Sequence, residues 1–145
     1  MATEPIHARP SRQAAVLLLE AASLPAGDLT DAHMEHFFFS GAPSLPSGIV
    51  GLELCGQNAL LRSLAVAPTL RAKGLGSALV ERAETHARSQ GARSVFLLTT
   101  TAEEFFRRRG YRSVPRENAP PGIRETREFA DMCPASSAFM VKTLR

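Results

Sequence analysis

Leu60–Leu61–Arg62–Ser63–Leu64–Ala65–Val66–Ala67–Pro68–Thr69–Leu70–Arg71–Ala72–Lys73–Gly74–Leu75–Gly76–Ser77–Ala78–Leu79–Val80 is the stretch from which the rest of the chain can be placed. It reads as an apolar strand, a Pro-started turn, the pattern Arg71-x-x-Gly74-x-Gly76, and then an Ala/Leu-rich helix. The two glycines let the backbone approach a ligand with no Cβ in the way. The helix that follows points unpaired N–H groups and the positive end of its dipole into the loop. That arrangement suits a pyrophosphate.

Upstream, Ile49 to Leu54 reads as a strand and Gly56–Gln57–Asn58 as a tight turn, so that Ala59 to Ala67 completes a hairpin. Downstream, Ala78, Leu79, Ala83 and Ala87 mark one buried face of a helix from Gly76 to Gln90, with Gly91 as its stop. Val95–Phe96–Leu97–Leu98 is a continuous apolar run, as in a strand covered on both faces. Strand, helix and strand between residues 60 and 99 predict a right-handed βαβ unit and hence a parallel pair.

Further out the signals weaken. Residues Thr3 to Arg9 suggest a short edge strand, and Ser11 is placed to cap a helix from Arg12 to about Ser23. Leu29 to Glu35 reads as a short helix before strand-like His36–Phe37–Phe38–Phe39, with Gly41 to Gly48 a loop by composition. Thr101 with Glu104 forms a capping-box pattern for another helix, which Gly110 ends. Tyr111 to Val114 then starts a short strand. Pro115 to Pro134 is a long connection with a helical turn within Arg124 to Met132, and Ala138 to Leu144 is a final strand.

The chain as a whole sets bounds. Its 145 residues fit one domain spanning 1–145, and 44% hydrophobic with 21% charged residues argues against disorder. The net charge of +3 is too small to argue for nucleic acid. The first residues carry no apolar signal core, and Ala14 to Leu19 is too short to span a bilayer, so no membrane partner is expected. Two cysteines, Cys55 and Cys133, fit free thiols in a reducing compartment; the expected location is cytoplasmic.

Three phosphate loops compete for the opening stretch. A dinucleotide fingerprint needs a third glycine where Leu79 stands, and a Walker loop needs Gly-Lys-Ser/Thr, which does not follow Gly76. Arg-x-x-Gly-x-Gly opening a helix after Val66–Ala67–Pro68 resembles the GNAT family of N-acetyltransferases, which use acetyl-CoA. Thr101–Ala102–Glu103–Glu104–Phe105–Phe106–Arg107–Arg108–Arg109–Gly110–Tyr111 resembles the family's second signature. Within the family, Leu60 to Pro68, Phe96 to Ala102 and Cys133–Pro134–Ala135–Ser136–Ser137 are most similar to small acetyltransferases associated with arsenic resistance.

The resemblance implies an α/β fold: a mixed, largely antiparallel sheet flanked by helices, whose central parallel strands splay to hold acetyl-CoA. It implies a small primary amine of amino-acid type as acceptor, direct transfer through a ternary complex, no metal, and a homodimer as a family expectation. The coenzyme would meet Leu64, Ala65 and Val66 through the pantetheine arm. Its pyrophosphate would meet the backbone of Arg71, Ala72, Lys73, Gly74, Leu75, Gly76 and Ser77, and Thr101, Phe106 and Arg109 would complete the site. Arg62, Phe38 and Thr99 would face the acceptor.

Two expected groups are missing. Relatives often carry Tyr where Phe106 stands, which leaves Tyr111, Ser63, Thr100 or water to protonate the departing thiolate. Many also carry a carboxylate on the strand before the loop, which here holds Arg62 instead. Glu53 on the partner strand is the nearest carboxylate, with His36 or a held water as the other bases. Arg62 has two readings: a bidentate clamp on a substrate carboxylate, or a salt bridge across the hairpin to Glu53. His33-x-x-His36 lacks a third ligand at metal-site spacing.

Overall fold

The computed structural model describes residues 5–71, 73–132, 134 and 136–144. In chain order they form β1 (Ile6–Ala8), α1 (Arg12–Ala21), a 3₁₀ turn (Ala32–His36), β2 (Phe37–Ala42), β3 (Leu45–Cys55) and β4 (Asn58–Val66). There follow a 3₁₀ turn (Pro68–Leu70), α2 (Leu75–Ser89), β5 (Ser94–Thr99), α3 (Glu103–Arg107) and β6 (Arg112–Ser113). After α4 (Pro121–Arg124) and a π-helical turn (Glu128–Met132), β7 (Ala138–Thr143) closes the chain. No described helix is long and apolar enough to cross a membrane.

The strands make one sheet in the order β1-β2-β3-β4-β5-β7-β6. Every pairing is antiparallel except β4 with β5, as the βαβ pattern predicts. The strand alternation decides which core each side chain joins. Phe38, Val50, Leu61 and Leu97 pack under α2, with Leu79 and Ala83. Their neighbours Phe37 and Ile49 pack under α1, with Leu19, and Leu60 and Phe96 pack with Ile123 and Phe139 at the other end of that face. The central strands are therefore covered on both sides, which is why Val95 to Leu98 reads as an unbroken apolar run.

Local chemistry explains the ends. Ser11 caps α1 by accepting from Ala14 N at 3.1 Å. Gly91, at φ +92°, follows α2 where the chain must turn out of the helix. The expected Gly41 to Gly48 loop is shorter than its composition suggests. β2 and β3 pair as far as Ala42 and Leu45, because Gly41 at φ +90° absorbs a register shift after Ser40. Thr101 does not cap α3; instead Thr99 Oγ1 accepts from Ala102 N at 3.0 Å, and the helix starts at Glu103.

Gly51 lies opposite Phe37 across β2 and β3. A Cβ on Gly51 would stand 2.2 Å from Phe37 Cε1 and Cζ, and Phe37 is fully buried. Gly51→Ala is therefore expected to cost about 1–3 kcal/mol of overpacking. The urea midpoint reads this cost, and an unchanged midpoint would show that the ring moves freely.

Candidate active site

β4 and β5 are hydrogen-bonded from Asn58 and Ser94 to Leu61 and Leu97, and there the parallel pairing stops. β4 continues to Val66, bonded on one edge to β3. The cause of the separation is a bulge. Between the pairs Gly51–Arg62 and Ile49–Ala65, Ser63 and Leu64 on β4 face Val50 alone on β3. Ser63 takes φ +61°, which a non-glycine residue rarely adopts, and its Oγ accepts from Arg62 Nε at 3.0 Å. A bulge bends and twists its own strand, here at the first residues beyond the last β4–β5 pair.

The opening is a cleft of about 500 Å³. Leu64 and Val66 of β4 form one wall, and Thr101, Ala102 and Phe105 form the other. Its floor is the N-terminus of α2, with Gly74, Gly76 and Ser77, flanked by Arg71 and Arg109. Gly74, at φ +87°, sits at the N-cap without a side-chain bond. The first bond of the α2 ladder runs from Ala78 N to Gly74 O, so the amides of Leu75, Gly76 and Ser77 precede the ladder. Arg109 is braced there: Nε donates to Ser77 Oγ at 2.9 Å, Nη1 donates to Phe105 O at 2.7 Å, and the guanidinium lies 3.6 Å from the Phe105 ring centre. Arg71 Nε donates to Val66 O at 3.1 Å. Free amides, a helix dipole and two guanidinium groups fit a pyrophosphate. Ala72 lies outside the described residues, and Lys73 is exposed beside the loop.

A smaller cavity of about 130 Å³ shares Leu64, Thr101 and Ala102 with the cleft and is also bordered by Arg62, Ser63, Thr99, Thr100, Phe106 and Glu128. Phe106 thus faces this inner cavity. Its neighbour Phe105, which the residue pattern did not single out, lines the outer cleft.

Arg62 carries a buried ionic cluster. Its side chain is 0% exposed; Nη2 donates to Asp28 Oδ1 at 2.8 Å, Nη1 to Asp28 Oδ2 at 2.5 Å and Nη1 to Glu53 Oε2 at 2.9 Å. Glu128 Oε1 lies 3.7 Å from Nε. Of the two readings of Arg62, the ion pair with Glu53 is the one formed, extended by two carboxylates distant in sequence. A substrate carboxylate placed there would meet like charge and find the fork occupied, which corrects the assignment of Arg62 as an acceptor clamp. Burial alone would favour neutral Arg62, but the bonds to Asp28 and the charges of Glu128 and Asp28 outweigh it and push its pKa up. For Asp28, burial is likewise outweighed by Arg62, and the carboxyl is held below its ordinary range. Glu128 goes the other way: burial, the largest cause, lifts it to about 7 against the pull of Arg62, and Glu53 and Asp28 add repulsion.

Other residues fall elsewhere. Tyr111 is 2% exposed and its hydroxyl donates to Glu84 Oε2 at 2.8 Å; Lys142 Nζ donates to the same carboxylate at 2.9 Å. Burial pushes its pKa up, with the charge of Glu84 adding to the effect, so Tyr111 is a packed structural aromatic rather than a proton donor to the cleft. Phe38, expected to face the acceptor, packs under α2 with its ring 5.1 Å from that of His86, on the sheet face opposite Arg62, and does not border the inner cavity. His33 and His36 diverge: His33 Nε2 is 3.8 Å from Glu53 Oε1, whereas His36 Nδ1 is 3.1 Å from His86 Nε2. Asp28, His33 and Glu53 bring ligand atoms within 4.8 Å of one another, but both carboxylates already hold the Arg62 guanidinium, which a cation would have to displace. Burial raises the Cys55 thiol above its ordinary pKa, and Cys133 lies outside the described residues.

The sequence matches the acetyltransferase (GNAT) domain family over residues 35–113, which takes in the β3–β4 hairpin, the α2 loop and both signatures. The chain belongs to the GNAT acetyltransferases. An uncharacterised N-acetyltransferase of Chlorobaculum tepidum is 39% identical over 85 residues, 58% of this chain and 54% of that protein. An amino-acid acetyltransferase of Pseudomonas fluorescens is 45% identical over 60 residues, 41% of this chain but 14% of that protein. The matched segments thus cover about half or less of these relatives' own lengths. Among solved structures, N-acetylglutamate synthase from Neisseria gonorrhoeae, complexed with coenzyme A and N-acetyl-glutamate, superposes with a TM-score of 0.82 at 21% identity, covering all of this chain and 36% of that one. A GNAT-family acetyltransferase from Staphylococcus aureus gives 0.76 at 14% identity over 99% of this chain and all of the other. At these identities the structural likeness establishes the GNAT fold.

Proposed function

We propose that this GNAT protein transfers the acetyl group of acetyl-CoA to the primary amine of a small amino-acid-like acceptor. The observation that carries this reading is the wall shared by the two cavities: a cationic, amide-lined cleft adjoins a small pocket bordered by polar groups, with Leu64, Thr101 and Ala102 common to both. Coenzyme A in neighbouring structures supports the assignment of the outer cleft, and the amino-acid acetyltransferase relatives support the acceptor class.

Bound there, acetyl-CoA would supply an activated acyl group. The α2 amides with Arg71 and Arg109 would hold its pyrophosphate, and the free edge of β4 from Leu64 to Val66 would align its pantetheine arm. A backbone N–H near Ala65 or Val66 would polarise the thioester oxygen. No described residue offers the activated thiol of a covalent route, which supports direct transfer in a ternary complex. The same reading takes the chain as one catalytic domain, cytoplasmic and without nucleic-acid or membrane partners, with a homodimer as the family's habit. Arsenical analogues of amino acids belong among the acceptors on the strength of the sequence resemblance.

The test is acetyl-CoA-dependent release of free CoA across amino acids, their arsenical analogues and peptide N-termini. Turnover confined to small amino-acid-like amines is expected. Tight coenzyme binding with no release on any amine would make the protein a non-catalytic acetyl-CoA module. Turnover on peptides alone would make it a protein acetyltransferase.

A further inference from the structure

Resting on the acetyl-transfer reading, we infer that Glu128 is the base that takes the proton from the acceptor's ammonium, receiving it on Oε2. Glu128 opens the π-helical turn before β7 and borders the inner cavity with Ser63, Thr99 and Phe106. It is 4% exposed, and its Oε2 is shielded from solvent without a hydrogen-bond partner. Among the described residues three buried side-chain polar atoms are in this state, and Glu128 is the one of the three residues that lines the cavity beyond the splayed strands.

The charged groups facing it come from three elements: Arg62 of β4, Glu53 of β3, and Asp28 of the loop after α1. Glu53, the carboxylate nearest in sequence logic, accepts from Arg62 at 2.9 Å and does not border the inner cavity. Arg62 occupies one Glu53 oxygen and His33 faces the other, whereas Glu128 offers the cavity an oxygen with no hydrogen-bond partner. Burial also gives it a pKa of about 7, a value matched to proton transfer at neutral pH.

The proton balance is simple. The ammonium gives one proton to ionised Glu128, and the freed lone pair attacks the thioester carbonyl carbon. The C–N bond forms, the C–S bond breaks, and the departing thiolate takes the second nitrogen-bound proton as the amide forms. Glu128 then returns its proton to solvent.

Glu128→Gln keeps the side-chain shape and removes the basic site. Its kcat/KM for the best amine of the panel should fall roughly 10²–10⁴-fold, and the rise in rate through pH 7 should vanish. Thermal midpoint and CoA affinity should stay at wild-type values. Glu128→Asp, which withdraws the carboxylate by one methylene, should keep the pH dependence at reduced rate. A readout independent of turnover is the carboxyl ¹³C titration of glutamate-labelled, ligand-free protein. One resonance, absent from Glu128→Gln, should titrate near 7; a midpoint at the ordinary value of about 4.3 overturns the role. A Glu128→Gln enzyme with wild-type kcat/KM and pH profile, or a Glu128→Asp enzyme without the limb, overturns it as well. If the unaltered protein acetylates no amine, the acetyl-transfer reading fails and this role falls with it. Wild-type turnover matched by Glu128→Gln sinks only the role of Glu128.

Discussion

Replacing Arg62 by methionine is expected to destabilise the protein by about 3–5 kcal/mol, the cost of stripping one partner from a buried charge cluster. Asp28 would lose both of its bonds to Arg62, Glu53 would lose one, and Glu128 would lose its nearby positive charge. The pH dependence makes the test specific. In the unaltered protein Asp28 has a depressed pKa, so its contribution is present above the usual carboxylate range and is lost as pH falls through the folded-state value. In Arg62→Met that attraction is gone, so burial, the largest cause at both Asp28 and Glu128, pushes their carboxyl pKa values up. The raised pKa of Glu128 already gives the unaltered protein some gain in stability as pH falls from 7 toward 5, and the variant should gain more over that range. Arg62→Lys restores the charge without the fork that spans both Asp28 oxygens, and should recover only part of the loss. Urea unfolding at several pH values decides the matter. A variant with the wild-type midpoint and pH slope would show that the cluster does not hold the fold.

The second large effect lies at the other end of the site. Gly76→Glu is expected to weaken CoA binding by roughly 30- to 1000-fold, because a carboxylate about 4 Å from a phosphate costs about 2–4 kcal/mol near a protein surface. The fold should not suffer. A Cβ on Gly76 would stand 3.4 Å from Phe105 Cζ and 3.9 Å from Val66 Cγ2, ordinary contacts, and an acidic side chain suits the first turn of α2. Gly76→Ala is the control, with wild-type melting and at most a modest loss of affinity. Calorimetric titration with CoA reads both variants. Unchanged affinity in Gly76→Glu would mean that the phosphates do not meet the start of α2.

The parts of this fold written locally were readable from the chain. The β3–β4 hairpin, the glycine-opened α2 and its Gly91 stop each depend on residues within a few positions, and the parallel pair follows from the βαβ rule. The residues proposed to cradle the phosphates were readable for the same reason: they lie in one contiguous loop. The lining of the inner cavity was not, because Arg62 meets Asp28 across 34 positions and Glu128 comes from a segment with no periodic pattern. One signal was available. An arginine within an apolar strand must be buried, and a buried guanidinium requires carboxylates. The exchange of Phe105 for Phe106 has a smaller cause. Which of two adjacent rings meets the cleft depends on helix phase, set here by Thr99 rather than Thr101.

The Arg62 cluster also bears on how the sheet assembles. Strands of uniform Leu, Ile and Val can pair in shifted alignments at little cost, and β4 is nearly such a strand. A slip of one residue against β3 would turn Arg62 to the α2 side of the sheet, away from Asp28, Glu53 and Glu128. The misaligned chain would then bury a lone cation and strand its carboxylates on the other face. The alignment that neutralises Arg62 is therefore also the one that places Ser63 at the bulge beside the cleft.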